Sequence, residues 1–80
     1  MIEISEHARK AMEDDAITED EVQRCLEHGE LEIKQLVKEE VRYGKKLELK
    51  DKIIMVIYTH RKEIKRIITC YIIRRKSKWL

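Results

Sequence analysis

Few side chains in this sequence have the types and spacing that catalysis requires. The three histidines, His7, His28 and His60, are scattered along the chain, and neither a metal-ligand spacing nor a glycine-rich phosphate loop occurs. The two cysteines, Cys25 and Cys70, form no CxxC pair, which favours two buried thiols over a zinc site and leaves a single disulfide as the alternative. We therefore expect neither a metal nor a cofactor.

The remaining candidates suit acid–base chemistry on a phosphate diester. Transesterification of RNA needs a group that takes the 2′-hydroxyl proton, positive charge near the phosphate, and help for the leaving oxygen. The candidate catalytic residues are His7, Tyr71, Thr69 and His60. The candidate RNA-binding residues are Arg61, Arg74, Arg75, Lys76 and Tyr58. Each has a structural alternative, because a histidine or tyrosine can simply pack at the edge of a core and a basic terminus can simply be solvated.

The charge of the chain is divided between its two halves. Residues 1–40 hold 5 Lys/Arg and 13 Asp/Glu, whereas residues 41–80 hold 13 Lys/Arg and 3 Asp/Glu. Such a division is consistent with an anionic partner for the basic half or with internal salt bridges. Eighty residues form one domain, spanning 1–80. The polar start of the chain and the short apolar runs predict a cytoplasmic protein that does not contact a membrane.

Hydrophobic periodicity predicts a helical front and a strand-rich back. Ser5 is a predicted N-cap for a helix over residues 6–14, and Thr18 opens a capping box for a second helix that ends at a left-handed Gly29. From there the period changes to two, and two long strands over residues 53–59 and 64–73 flank a turn over residues 60–63. The predicted fold class is α+β, with two N-terminal helices packed on a three- to four-stranded antiparallel sheet. Residues 74–78 form a basic tail.

A symmetric closure of that last hairpin predicts which side chains share a face. It pairs Thr59 with Ile64 and Ile54 with Thr69. The face assigned to the helices carries Ile53, Met55, Ile57, Ile68, Cys70 and Ile72. The opposite, mixed face carries Ile54, Val56, Tyr58, His60, Ile67, Thr69, Tyr71 and Ile73. A domain this small cannot cover both faces, so the mixed face is expected to meet a partner, a substrate or the tail.

Four short motifs follow one another in the order of a known family. They are Ser5-Glu6-His7-Ala8, Ile17-Thr18-Glu19-Asp20-Glu21-Val22, Leu26 with Gly29, and Ile67-Ile68-Thr69-Cys70-Tyr71. The set resembles a family of small domains of unknown function (family 4258) that is related to the RelE-like and BrnT-like toxins. The resemblance covers almost the whole chain. His7, Thr69 and Tyr71 fall at its motif positions, whereas Ala11 stands where the family often has an arginine.

The resemblance implies a RelE-like fold and a toxin that cleaves RNA without a metal. Its partners would be RNA, including ribosome-bound mRNA, and an antitoxin protein. Two other functions remain open on the residues alone. One is a non-catalytic module that binds RNA or a protein with the same face, which the alanine at position 11 favours. The other is an assembly role in which the mixed face forms a homodimer.

Overall fold

The computed structural model describes residues 2–76 and contains two helices and five strands. Their order is β1 (Ile2–Ile4), α1 (Glu6–Asp15), α2 (Glu19–His28), β2 (Glu30–Val37), β3 (Glu40–Glu48), β4 (Lys52–Arg61) and β5 (Ile64–Arg75). The strands form one sheet in the order β1-β5-β4-β3-β2. The α+β class and the two N-terminal helices are therefore confirmed.

The sheet has more strands than the sequence predicts, and it is mixed. The residues before α1 form a real strand, β1, which pairs parallel to β5, while the other three pairings are antiparallel. A three-residue strand carries too short a pattern to be recognised, and a parallel partner more than 60 residues away leaves no local signal. β5 continues through Arg75, so part of the predicted tail belongs to the sheet. Lys78 lies outside the described residues.

Both helices begin at caps that the sequence predicts. The Ser5 side chain accepts a hydrogen bond from the backbone N–H of Ala8, and Thr18 and Glu21 form the reciprocal capping box. The predicted left-handed stop at Gly29 is wrong, because its φ is −70° and the chain passes directly into β2. The left-handed cap is instead Ala16, with φ 53°, at the end of α1.

Both helices pack on one face of the sheet, which we call the helix-covered face. Its core comprises Ala8, Met12, Ile17, Val22, Cys25, Leu26, Leu49, Ile54, Val56, Tyr58, Ile67 and Cys70. The apolar run of β4 is continuous, as expected for a central strand, and Met55 and Thr59 on its other side are buried as well. Cys25 and Cys70 are free thiols in this core, which confirms the expectation of buried cysteines. Burial raises the pKa of each thiol to about 11.

The opposite side of the sheet, which we call the outer face, carries Ile53, Met55, Ile57, Thr59 and Arg61 from β4 and their cross-strand neighbours. The predicted faces of β4 are therefore reversed. The turn has only two residues, Lys62 and Glu63, so that Thr59 pairs with Arg66 rather than Ile64. Ile68 is then left unpaired in a bulge, which puts Ile67 and Cys70 on the same side.

Three non-glycine residues in the two hairpin turns have left-handed backbone conformations. The tight turn between β2 and β3 has positive φ angles at Lys38 and Glu39, and Lys62 in the last hairpin also has a positive φ. Between residues 2 and 76, neither helix has the length and apolar content that crossing a bilayer requires.

Candidate functional site

A row of side chains crosses all five strands on the outer face. Glu3 of β1 pairs with Arg66 of β5, which pairs with Thr59 of β4, which pairs with Arg42 of β3. Gln35 of β2 continues the row opposite Arg42. Residues paired across neighbouring strands point to the same side of a sheet. The pairing alone therefore brings two arginines within reach of one threonine.

Three members of this row, Arg42, Thr59 and Arg66, line a cleft of about 300 Å³, which we call the arginine cleft. Its lining residues are Ser5, His7, Glu40, Arg42, Thr59, Arg61, Arg66 and Ile68. The side chains come from both ends of the chain, because α1 begins beside the bulge of β5. The cleft thus brings together one imidazole, three guanidinium groups and two hydroxyls.

The position of His7 depends on how α1 is attached to β5. The Ser5 backbone N–H donates to the carbonyl of Ile67 over 3.2 Å, and the Ser5 hydroxyl donates to the carbonyl of Ile68 over 3.1 Å. The same hydroxyl accepts from Ala8 N–H, which fixes the first turn of the helix. His7 stands between these two anchored residues and is exposed. Its imidazole is accordingly placed at the mouth of the cleft.

A single carboxylate, Glu40, balances two of the arginines. It accepts a hydrogen bond from Arg61, and one of its oxygens lies 3.6 Å from the Nε of Arg42. The Arg61 hydrogen bond, aided by the charges of Arg61 and Arg42, holds the pKa of the Glu40 carboxyl below its usual range. Arg66 forms an ion pair with Glu3, and a carboxylate oxygen of Glu3 lies 3.6 Å from the Arg66 Nε. Three guanidinium groups against two carboxylates leave the cleft cationic.

The Nε of Arg42 is an unusual atom in this cleft. It is buried and has no hydrogen-bond partner among the described residues. Its neighbour Glu40, with an oxygen 3.6 Å away, forms an ion pair with it but lies beyond hydrogen-bond distance. An acceptor that enters the cleft could take this hydrogen bond, and guanidinium groups match the planar geometry of phosphate and carboxylate oxygens.

The remaining predicted residues do not all lie at this cleft. His7 and Arg61 line it. Thr69, Tyr71 and Arg74 lie on the same outer face, opposite Ile57, Met55 and Ile53 respectively. His60 pairs with Lys65 near the hairpin turn and lines a second cavity beside Arg61. Arg75 pairs with Lys52, and the Lys76 ammonium donates to Glu48 and to the carbonyl of Leu49.

Tyr58 lies on the helix-covered face rather than on the face of Tyr71. It is 5% exposed, and its ring stacks on Tyr43 with centroids 5.4 Å apart. The Lys65 ammonium lies 5.8 Å from its ring centroid, and burial raises the pKa of its phenol. The expectation that Tyr58 and Tyr71 share a face is therefore wrong, and no ring face of Tyr58 remains for a base.

Sequence reasoning missed Arg42, Arg66 and Glu40. Any hairpin with an even-numbered turn puts Arg66 on the same side of the sheet as Arg61, and the two-residue turn places it directly opposite Thr59. Sequence reasoning missed it because the helices cover the other side of β4, that of Ile54, Val56 and Tyr58. Arg42 then follows from the pairing of β3 with β4.

Comparison with known proteins gives one family match. The family model of the domain of unknown function DUF4258 matches residues 4–72. The chain belongs to the DUF4258 family. The match runs from β1 into β5 and so includes every residue that lines the arginine cleft. No curated protein and no solved structure matches the chain significantly.

Proposed function

We propose that this DUF4258 domain cleaves RNA by metal-independent transesterification in the arginine cleft. The observation that carries the proposal is the convergence of His7 from α1 with Arg42, Arg61 and Arg66 from three neighbouring strands. A histidine and several guanidinium groups are sufficient for the reaction, because the ribose supplies its own nucleophile. The 2′-oxygen attacks phosphorus to form a 2′,3′-cyclic phosphate and the bond to the 5′-oxygen breaks. The domain therefore needs to hold the phosphate, take the 2′-hydroxyl proton, return a proton to the leaving 5′-oxygen and offset the charge that develops.

The arginines would hold the scissile phosphate. Arg42 and Arg66 flank Thr59 in the central row, and Arg61 approaches from the next position on β4. Fixed guanidinium donors aimed at the phosphate oxygens stabilise the additional negative charge of the transition state. The Nε of Arg42 supports this role, since it has Glu40 at ion-pair distance but makes no hydrogen bond to any described residue.

His7 would be the acid–base group. Its imidazole is exposed at the mouth of the cleft, where it can reach the 2′-hydroxyl or the leaving 5′-oxygen of a bound phosphate. The hydroxyls of Ser5 and Thr59 have other tasks, because they donate to the carbonyls of Ile68 and Val41. His7 is thus the proton-transfer group of the cleft.

The resemblance to RelE-like toxins adds support from a different direction. That family implies RNA cleavage without a metal and an antitoxin partner. The arginine that often follows its motif histidine is Ala11 here, and Ala11 packs against the core. The sheet supplies guanidinium groups beside His7 from Arg42, Arg61 and Arg66, so the cleft remains positively charged without an arginine at position 11.

The test is cleavage of labelled single-stranded RNA by the purified chain in the presence of EDTA. We expect His7→Ala to slow cleavage by at least about 100-fold, the usual contribution of an acid–base group. Arg42→Ala and Arg66→Ala, each made alone, should also cleave measurably more slowly than the unchanged chain. The matched controls are His28→Ala and Arg24→Ala, which remove exposed side chains of α2 on the other side of the sheet.

Two results would contradict the proposal. One is cleavage by His7→Ala at the rate of the unchanged chain. The other is the absence of any cut, both in this assay and in cellular RNA mapped by end-sequencing after brief expression.

A second candidate function, a module that binds RNA without cutting it, is favoured by Glu40. This carboxylate occupies Arg61 and Arg42, and the cleft contains a single histidine. Binding that weakens in Arg66→Ala, with no cleavage under any condition, would identify this function.

A further inference from the structure

The outer face continues past the arginine cleft into an apolar strip. Gly44 lies in the middle of β3, opposite Ile57 of β4 and Ile33 of β2. A Cβ at Gly44 would stand 2.9 Å from the Cβ of Ile33 and 3.0 Å from the Cδ1 of Ile57. The missing side chain leaves room for both isoleucines to pack close to the Gly44 backbone, so that the centre of the face is apolar.

Tyr71 stands at the far end of this strip. It is 41% exposed and pairs with Met55, which is 6% exposed yet lies outside the core under the helices. Of the three tyrosines, Tyr43 and Tyr58 stack on each other on the helix-covered face, so Tyr71 is the tyrosine whose ring is exposed on the outer face.

The distance from the cleft to Tyr71 follows from the strand register. Arg66 pairs with Thr59 and Tyr71 pairs with Met55, four residues earlier in β4. Four residues of a strand span about 13 Å. A ring this far from the arginine row does not contact the phosphate held there, but it lies within reach of a neighbouring nucleotide of the same strand.

The charges around Tyr71 suit a polyanion. Lys46 is the partner of Met55 on β3, and Arg74 is the partner of Ile53 on β4. Lys46 is balanced by Glu32, at 2.7 Å, whereas Arg74 has no ion-pair partner among residues 2–76. Tyr71 thus combines an exposed ring, an apolar surface beside it and one uncompensated guanidinium group close by.

We propose that Tyr71 is a base-stacking subsite for single-stranded RNA that extends from the arginine cleft. The inference rests on the proposed function for the position of the scissile phosphate. An unpaired base stacks on the phenol ring, its sugar lies over the apolar surface of Met55 and Ile57, and Arg74 contacts the next phosphate. Stacking on an aromatic ring tolerates every base, because each base has a π-face. The subsite therefore selects single strands over duplexes, whose bases are not free to stack.

The experiment uses an oligonucleotide that lacks the 2′-hydroxyl, so that it binds without being cut. The fluorescent base 2-aminopurine is placed at successive positions of a short single strand, and its quenching is measured as the unchanged chain is added. We expect strong quenching at a position beside the bound phosphate, loss of that quenching in Tyr71→Ala with about a tenfold weaker affinity, and retention of both in Tyr71→Phe. Leu36→Ala is the control, since it removes a 69% exposed apolar side chain from β2.

Equal affinity and equal quenching in Tyr71→Ala, or no binding by the unchanged chain, would overturn the subsite. A circular dichroism melt of each variant verifies that it is folded. The two proposals fail separately. Cleavage of RNA that is indifferent to Tyr71→Ala would remove the subsite and keep the nuclease. Quenching that depends on Tyr71 in a chain that cuts no RNA would keep the subsite and remove the nuclease.

Discussion

Lys52 is a buried lysine whose partners lie on two helices. It is 5% exposed, and its ammonium donates to the carbonyl of Ala16 and contacts Glu21, both over 3.0 Å. Glu21 also accepts from the backbone N–H of Thr18 in the capping box. This contact ties the C-cap of α1 and the first turn of α2 to the start of β4, so that one charge positions three elements.

We expect Glu21→Ala to lower the free energy of unfolding by about 3 kcal/mol. The change leaves the Lys52 ammonium buried with only one acceptor, and breaking a buried pair by removing one partner is strongly destabilising. Chemical denaturation measures the effect, with Glu27→Ala, an exposed change on the same helix, expected to stay within about 0.5 kcal/mol. Equal midpoints for the two variants would mean that the pair does not stabilise the fold.

The ion pair of Lys52 and Glu21 also makes the free energy of unfolding depend on pH, in the direction set by the lowered pKa of Glu21. Burial alone would raise the pKa of Glu21, but the hydrogen bonds from Thr18 and Lys52 and the charge of Lys52 lower it below its usual 4.5. Its stabilising contribution is therefore complete above pH 4.5 and is lost as the pH falls through the lowered pKa. Glu21→Gln should flatten this part of the acid unfolding curve.

At the scale of the elements, the sequence predicts caps better than it predicts faces. The capping box at Thr18 and the N-cap at Ser5 are local patterns of hydroxyl and carboxylate, and both are confirmed. The faces of β4 and β5 depend on which side of the sheet the helices cover and on the bulge at Ile68, and both arise from contacts between distant elements. Residue type alone was enough to name His7 and Arg61 as candidates. Only the pairing of β3, β4 and β5 shows that they share a cleft with Arg42 and Arg66.

Gly44 offers a test of the sheet as an element. We expect Gly44→Ala to cost about 1–3 kcal/mol, because its Cβ would overlap Ile33 and Ile57 in a packed layer. Lys34→Ala, an exposed position on β2, is the comparison in the same denaturation experiment. If Gly44→Ala left the denaturation midpoint unchanged, the side chains of Ile33 and Ile57 could move apart without a cost in free energy. The apolar strip would then not be a fixed surface.

At the scale of the whole molecule, charge is separated across the sheet. The two helices hold eight carboxylates and three basic side chains, and they cover one face. The arginine cleft is on the other face and takes its three arginines from β3, β4 and β5. A polyanion is therefore repelled from the helices and attracted to the outer face.

If the domain binds RNA as proposed, this separation predicts that the binding depends on salt. The logarithm of the affinity should fall linearly with the logarithm of the salt concentration, with a slope of about −0.7 for each phosphate contacted on a single strand. Arg66→Ala should reduce the magnitude of the slope by about that amount, whereas Arg24→Ala on α2 should leave it unchanged. Equal slopes for the two variants would place the nucleic acid elsewhere on the surface.

The attachment of Ser5 to Ile68 joins residues 63 positions apart. His7 and Arg66 thus come from opposite ends of the chain, and neither β1 nor the first turn of α1 has its partner until β5 exists. Translation adds roughly 5–20 residues per second from the N-terminus. A nascent chain in which β5 has not yet been synthesised therefore lacks the cleft. If the domain cuts RNA as proposed, the ribosome has read the message through the codons of β5 before the product of that message can cut anything.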